Sequence, residues 1–141
     1  MKIPIKTTIL LPKLELQKTM EKKDFSVLEQ NLVALGYSVR CFDTAAEAAE
    51  YLDGQIDEQT VGFAGSMTLE KMGLYERLSA HNEVHWHQRI PEGMTSKEVR
   101  LQANAATIYI TSVNGIAESG EIVYIDANCN RVASIFYGHE K

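Results

Sequence analysis

The chain has 141 residues, 45% of them hydrophobic, and carries 19 acidic against 14 basic side chains. That length fits one domain with its own core, and a net charge of −5 disfavours phosphate-backbone partners, so we expect no nucleic acid partner. The sequence contains no pattern typical of a signal peptide or a membrane span, so the default prediction is a cytoplasmic protein without a membrane partner.

The first residues are predicted to lie outside the domain. Pro4 and Pro12 interrupt residues 1–13, which we expect to form an arm that is loose or contains a short helix. From Leu14 onward apolar residues recur at spacings of three and four, which is one face of a helix. Residues 14–141 are therefore predicted to form the folded domain.

Beyond this helix, the sequence alternates between extended and helical patterns. Two capping boxes, Thr44 with Glu47 and Thr95 with Glu98, mark the beginnings of two helices. The remaining predicted elements are strands at Tyr37–Phe42, Val61–Phe63, Glu83–His87 and Thr107–Val113, helices at Met67–Met72 and Asn128–Tyr137, and a hairpin joining Ile116–Ala117 to Glu121–Ile125. This alternation predicts an α/β fold with a mainly parallel sheet flanked by helices.

The first candidate site is the loop between the strand Val61–Phe63 and the following helix. Its glycines let a ligand approach the backbone, and the helix N-terminus offers unpaired amides to an anion. We predict that Gly62, Gly65, Ser66 and Met67 bind a ligand. The alternative is that Ser66 only caps the helix and the glycines only form a tight turn.

The second candidate site is a polar segment near the C-terminus. Glu118 is predicted as a general base or nucleophile, and Arg131 as a bidentate clamp for a carboxylate. Asn114, Asp126 and Asn128 are predicted to bind the ligand beside them. Two alternatives stay open: these residues stabilise turns, or Asp126 and Arg131 form an internal ion pair.

The histidines and cysteines offer a weaker signal. His85 and His87 alternate on one predicted strand and so face the same side, with His81 nearby. A metal would need further ligands, so we expect polar strand positions, no metal and no cofactor. Cys41 and Cys129 lack CxxC or zinc spacing and are predicted to be reduced, inert thiols.

Two stretches resemble the LUD family, the lactate-utilisation domain of lactate utilisation protein C-like proteins. Residues 61–73 are similar to the family's Gly-Gly-Ser-Met-Thr-Leu loop. Residues 111–132 resemble its Asn-Ala-Ile-Thr/Ala-Glu-x-Gly-x-Leu-Val-x-x-Asp-Gly-x-Gly-Asn-Arg pattern. The similarity runs in the same order from about Leu14 to Lys141. The departures are an alanine for a glycine at Ala64, a glycine for an alanine at Gly115, and replaced glycines at Ala127 and Cys129.

The resemblance implies a fold similar to the sugar-phosphate isomerase and CoA-transferase folds. Family members usually continue with another apolar strand and a helix, and this chain is expected to lack both because it stops at Lys141. The chain would then be a fragment or a naturally short protein. A missing strand would leave an exposed sheet edge, which commonly recruits a partner, and a homo-oligomer is one expected outcome.

The resemblance also implies a function. The leading hypothesis is an accessory or binding component in the oxidation of lactate to pyruvate, acting beside iron–sulfur subunits that carry the electrons. Gly65, Ser66, Asn114 and Glu118 would then line a pocket for a small carboxylate or other anionic ligand. The alternative is a stand-alone enzyme on an acyl-thioester or sugar-phosphate substrate, with Glu118 as base or nucleophile.

Overall fold

The computed structural model describes residues 8–12 and 24–141. The predicted helical start at Leu14 lies outside these residues. Thr8–Pro12 form strand β1, so the expectation of a loose arm or short helix was wrong for this stretch. β1 runs parallel to the strand Ser38–Phe42 and pairs with it along its length; within residues 8–12 and 24–141 it pairs with no second strand, so Pro12 at its end is tolerated.

The later elements follow the predicted order, and both capping boxes form. One helix, α4, was not predicted; it begins after Gly73, whose φ of 61° turns the chain between two short helices. The elements are α1 Ser26–Ala34, β2 Ser38–Phe42, α2 Ala45–Gln55, β3 Thr60–Phe63, α3 Met67–Lys71, α4 Leu74–Leu78, β4 Glu83–Trp86, α5 Ser96–Ala105, β5 Ile108–Ile110, β6 Gly115–Ile116, β7 Ile122–Val123 and α6 Asn130–Phe136.

The largest sheet has three parallel strands in the order β4-β3-β5. β1 and β2 form a separate parallel pair, and β6 and β7 form the predicted antiparallel hairpin. The structure therefore confirms an α/β fold with a parallel sheet flanked by helices. No helix within residues 24–141 is both long and apolar enough to cross a membrane.

The core lies between the three-stranded sheet and the helices around it. Phe63 and Trp86, on neighbouring strands, meet edge to face with ring centroids 5.5 Å apart. The indole Nε1 of Trp86 donates to the carbonyl oxygen of Ala64 at 2.9 Å, so its polar atom is satisfied inside the core. Leu74 and Leu78 of α4 pack into the same cluster, which explains why so short a helix is held in place.

The outer edge of β5 is partly covered by the last residues of the chain. The amide of Glu140 donates to the carbonyl oxygen of Thr107 at 2.8 Å, and the amide of Tyr109 donates to that of Lys141 at 3.1 Å. The chain's own backbone therefore pairs with this part of the β5 edge, and the expectation that a missing strand exposes a sheet edge stays a prediction.

Candidate functional site

The carboxyl ends of the three parallel strands bring distant residues to one edge of the sheet. Phe63 is in register with Trp86 on one side and Ile110 on the other. The residues that follow these strand ends therefore lie near one another, as is typical of ligand sites in open α/β sheets. We call the resulting cluster the strand-end site; it comprises Gly65, Ser66, His87, Ser112, Asn114 and Arg131.

Ser66 ties two of these strand ends together. Its hydroxyl accepts from the amide of Leu69 at 3.2 Å, so it caps α3, and it donates to the hydroxyl of Ser112 at 2.9 Å. Ser66 therefore caps α3, and its contact with Ser112 gives it a second structural role; ligand binding by Ser66 stays a prediction. Met67, the first residue of α3, is 62% exposed.

Arg131 joins the two segments that were singled out from sequence. Its Nη2 donates to the carbonyl oxygen of Gly65 at 2.7 Å, and its Nη1 donates to Oδ1 of Asn114 at 3.1 Å. The same Oδ1 accepts from the amide of Ile125 at 2.9 Å, which holds the Asn114 side chain in place. The Nε of Arg131 is buried and has no hydrogen-bond partner within the described part of the chain.

His87 is a site residue that the sequence did not identify as such. It follows β4 directly, and a Cβ placed on Gly65 would lie 3.3 Å from its Nε2. Its Nδ1 is buried without a hydrogen-bond partner among the described residues. A signal was available: His87 is the last residue of the predicted strand Glu83–His87, near the strand end as Gly65 and Ser66 are.

The electrostatic surroundings keep His87 neutral. Burial lowers the pKa of His87 below its ordinary value, and the positive charges of Arg100 and Arg131 lower it further. At pH 7 the ring is therefore an uncharged imidazole with one donor and one acceptor nitrogen. Arg131 is thus left as a cation beside a neutral hydrogen-bonding group.

Asp126 shapes the loop before α6. Its carboxylate accepts from the amides of Asn128 and Val132, each at 3.1 Å. Burial alone would raise the pKa of Asp126, but these backbone hydrogen bonds and the charge of Arg131 outweigh it, so the pKa lies below its ordinary value. Arg131 directs its terminal nitrogens at Gly65 and Asn114, and the described contacts include no ion pair with Asp126.

Two predicted site residues do not belong to the strand-end site. Gly62 lies in mid-β3, where a Cβ would lie 2.2 Å from the carbonyl oxygen of Ala103 in α5, so its hydrogen faces a helix. Glu118 lies exposed in the hairpin turn, and its carbonyl oxygen accepts from Nδ2 of Asn31 in α1 at 2.8 Å. No described hydrogen bond joins the Glu118 carboxylate to the strand-end site.

The other histidines make local contacts. The Nε2 of His85 lies 3.3 Å from Oε1 of Glu83 on the same strand. His81 places Nε2 3.0 Å from Asp53 Oδ1 and Nδ1 2.9 Å from Asp57 Oδ1. Among the described residues no group of three or more His, Cys, Asp or Glu side chains is arranged so that it could hold a metal ion. Both cysteines are thiols.

His81 should make stability depend on pH. Hydrogen bonds to Asp53 and then Asp57 raise the pKa of His81 above 6.5. The stabilisation of the folded state by protonated His81 is therefore complete below the pKa of about 6.5 that His81 has in the unfolded chain. It is lost as the pH rises through the pKa of His81 in the folded protein. We expect His81→Gln to lower the melting temperature most near pH 6, with a smaller difference near pH 9. An Asp53→Asn, Asp57→Asn double variant should show the same loss of pH dependence. If the melting temperatures of His81→Gln and the parent protein differ by the same amount at every pH, the assignment is contradicted.

Together these features define an open α/β protein whose polar residues gather at the carboxyl ends of its parallel strands. The chain belongs to the LUD domain family, whose model matches residues 25–141. The resemblance seen in the two sequence motifs is thereby confirmed. Comparisons with curated proteins and with solved structures gave no significant match.

Proposed function

We propose that this LUD domain binds the carboxylate of a small 2-hydroxy or 2-keto acid at the strand-end site. It would thereby serve as an accessory component in the oxidation of lactate to pyruvate. The observation that carries the proposal is the state of Arg131, a half-buried cation at the strand ends whose Nε has no described partner.

The guanidinium group of Arg131 has hydrogen-bond donors that no described residue uses. A guanidinium carries five N–H groups, and two of them serve Gly65 and Asn114. A buried donor without a partner costs free energy, so a ligand oxygen at Nε would be favourable. A carboxylate can take Nε–H together with a neighbouring terminal N–H as a bidentate pair, which is the strongest way for arginine to bind it.

The neutral His87 supplies the second half of the recognition. A 2-hydroxy group can donate to an imidazole nitrogen, whereas a 2-keto oxygen can accept from an imidazole N–H. Because His87 and Arg131 both border Gly65, a small acid bound there would meet a cation for its carboxylate and a neutral ring for its second oxygen. Because the ring is uncharged, it does not repel Arg131, and the positive charge of Arg131 remains available to bind the carboxylate.

The accessory role rests on the family resemblance. Oxidation of lactate to pyruvate releases two electrons and two protons, and the resemblance implies iron–sulfur subunits as the electron acceptors. Two cysteines are too few for an all-cysteine cluster site, so the electrons would pass to a partner protein. The domain would present the acid, and the partner would take the electrons.

The alternative of a stand-alone enzyme with Glu118 as base has no support from the described contacts. Glu118 lies exposed at the hairpin turn and is tied to α1 through its main chain. A base must come within hydrogen-bond reach of the proton that it removes, directly or through one water. The strand-end site is therefore the better supported location.

Ligand linkage tests the proposal directly. Lactate and pyruvate should each raise the melting temperature of the protein in a concentration-dependent manner, because both bind the folded state. Gly65→Ala places a Cβ 3.3 Å from Nε2 of His87 and should crowd the ligand without unfolding the chain. We expect it to weaken binding by roughly tenfold, which is about 1.4 kcal/mol.

Two controls separate carboxylate recognition from general effects. Lactamide, the neutral amide of lactate, should not shift the melting temperature because it lacks the charge that Arg131 would bind. Gly54→Ala in α2 adds a methyl group where no atom lies within 4 Å, so it should keep the full response. An equal response to lactate and lactamide, or an unchanged response in Gly65→Ala, would refute the proposal.

A further inference from the structure

A second concave surface lies between α5 and the beginning of α6. It is a cleft of about 280 Å³ and shares no residue with the strand-end site. This volume is near the lower end of the range for small-molecule sites, which begins at about 300 Å³. The polar residues that line it are Lys97, Arg100, Asn104, Asn128, Cys129 and Asn130.

The charge of this cleft opposes the charge of the whole chain. Lys97 and Arg100 stand three residues apart on α5, and such residues are neighbours on a helix surface. Nη1 of Arg100 donates to the hydroxyl of Ser96 at 2.7 Å, and neither cation forms an ion pair within the described residues. No carboxylate belongs to the described lining, so two cations share one cleft in a chain of net charge −5, and the nearby Asp126 carboxylate accepts from the Asn128 amide outside the lining.

Neutral hydrogen-bond donors also line the cleft, together with the apolar residues Leu101 and Ala133. The Oδ1 of Asn104 accepts from the hydroxyl of Ser134 at 2.9 Å, which leaves the Asn104 NH₂ group as a donor. Asn128 and Asn130 add two more side-chain amides at the start of α6. These donors and cations outnumber what the two oxygens of a carboxylate can use.

We propose that the α5–α6 cleft binds a phosphate-bearing small molecule. A phosphate group carries about two negative charges and three terminal oxygens, which matches two cations supported by amide donors. The cleft is larger than the roughly 30 Å³ that one water occupies in the liquid, so it leaves room for an attached organic group. The cleft also gives Asn128, predicted from sequence as a ligand residue, a location beside two cations.

Cys129 provides a reporter for the cleft because it lines the cleft and is exposed. The chain has two cysteines, so a Cys41→Ala background leaves Cys129 as its single thiol. We would measure the rate at which Cys129 reacts with Ellman's reagent, with inorganic pyrophosphate as the probe ligand. Pyrophosphate should slow the reaction in a saturable manner, and the concentration dependence gives its Kd.

Removing either cation should weaken this protection. Lys97→Gln and Arg100→Gln should each raise the Kd for pyrophosphate by about tenfold, which corresponds to ~1.4 kcal/mol. Lys71→Gln on α3 removes the same charge away from the cleft and should change nothing. Circular dichroism establishes that each variant is folded.

Three outcomes would overturn the proposal. They are that pyrophosphate leaves the rate unchanged, that it protects all variants equally, or that it protects no better than malonate at the same ionic strength. The last result would replace phosphate with anions in general as the ligand class. The Lys97→Gln and Arg100→Gln variants test this cleft apart from the strand-end site, because neither residue belongs to that site.

Discussion

Replacing Gly62 by alanine should lower the free energy of unfolding by about 3 kcal/mol, because overpacking against rigid backbone is among the costliest single changes. The added Cβ would lie 2.2 Å from the carbonyl oxygen of Ala103 and 2.8 Å from its carbonyl carbon. Both atoms belong to the backbone of α5, so relief requires the whole helix to move. Gly62 also lies on the central strand, so any shift would disturb both neighbouring strands.

The matched control is Gly54→Ala. Gly54 lies within α2, and no atom lies within 4 Å of the position its Cβ would take. Alanine is the better helix former by about 1 kcal/mol, so this variant should be slightly more stable than the parent. Urea unfolding followed by circular dichroism measures both. Equal midpoints for Gly62→Ala and the parent protein would show that α5 does not pack as closely as described.

Gly62 also shows where inference from sequence reaches its limit. A glycine in the short predicted strand Val61–Phe63, three residues before Gly65, suggested close approach of a ligand. The structure shows close approach of a helix instead, because Ala103 of α5 packs across the strand. Nothing in the local sequence distinguishes these two reasons for a glycine. The distinction depends on a tertiary contact that no spacing pattern encodes.

The elements that were predicted are those with local signals. The capping boxes at Thr44 and Thr95 form because hydroxyl, carboxylate and amides are within four residues of one another. β1 was missed because its hydrogen bonds go to a parallel strand beyond α1, and because Pro4 and Pro12 suggested a loose arm or a short helix. α4 was missed because five residues are too few to show a helical period.

The site was predicted in part for a related reason. Arg131 and Asn114 stood out as polar residues that flank a predicted strand and hairpin, in a segment that also resembles a family motif, and the structure brings both to the strand ends. Gly65 was singled out by its position after a strand. His87 was considered only as a metal ligand, because its partners Gly65 and Arg131 become neighbours only when the parallel strands align.

Arg131→Gln should separate binding from folding. The variant loses hydrogen bonds to Gly65 and Asn114, which would lower the free energy of unfolding by about 1–2 kcal/mol. It should not leave the Asp126 carboxylate without hydrogen-bond donors, because backbone amides donate to it. The affinity for lactate and pyruvate should fall by roughly tenfold to hundredfold, since hydrogen bonds to a charged group contribute about 1.5–3 kcal/mol.

Arg89→Gln is the control that makes this result specific. Arg89 is also a partly exposed arginine; its guanidinium carbon lies 5.1 Å from the Trp86 ring centroid, and Nη2 lies 3.4 Å from Oε1 of Glu70. Its loss should cost stability through those contacts and leave the ligand response intact. The measurement is the melting temperature of each variant with and without lactate, pyruvate and lactamide. If Arg131→Gln keeps the response of the parent, the carboxylate does not bind at the strand-end site, because no other described cation contacts Gly65 there.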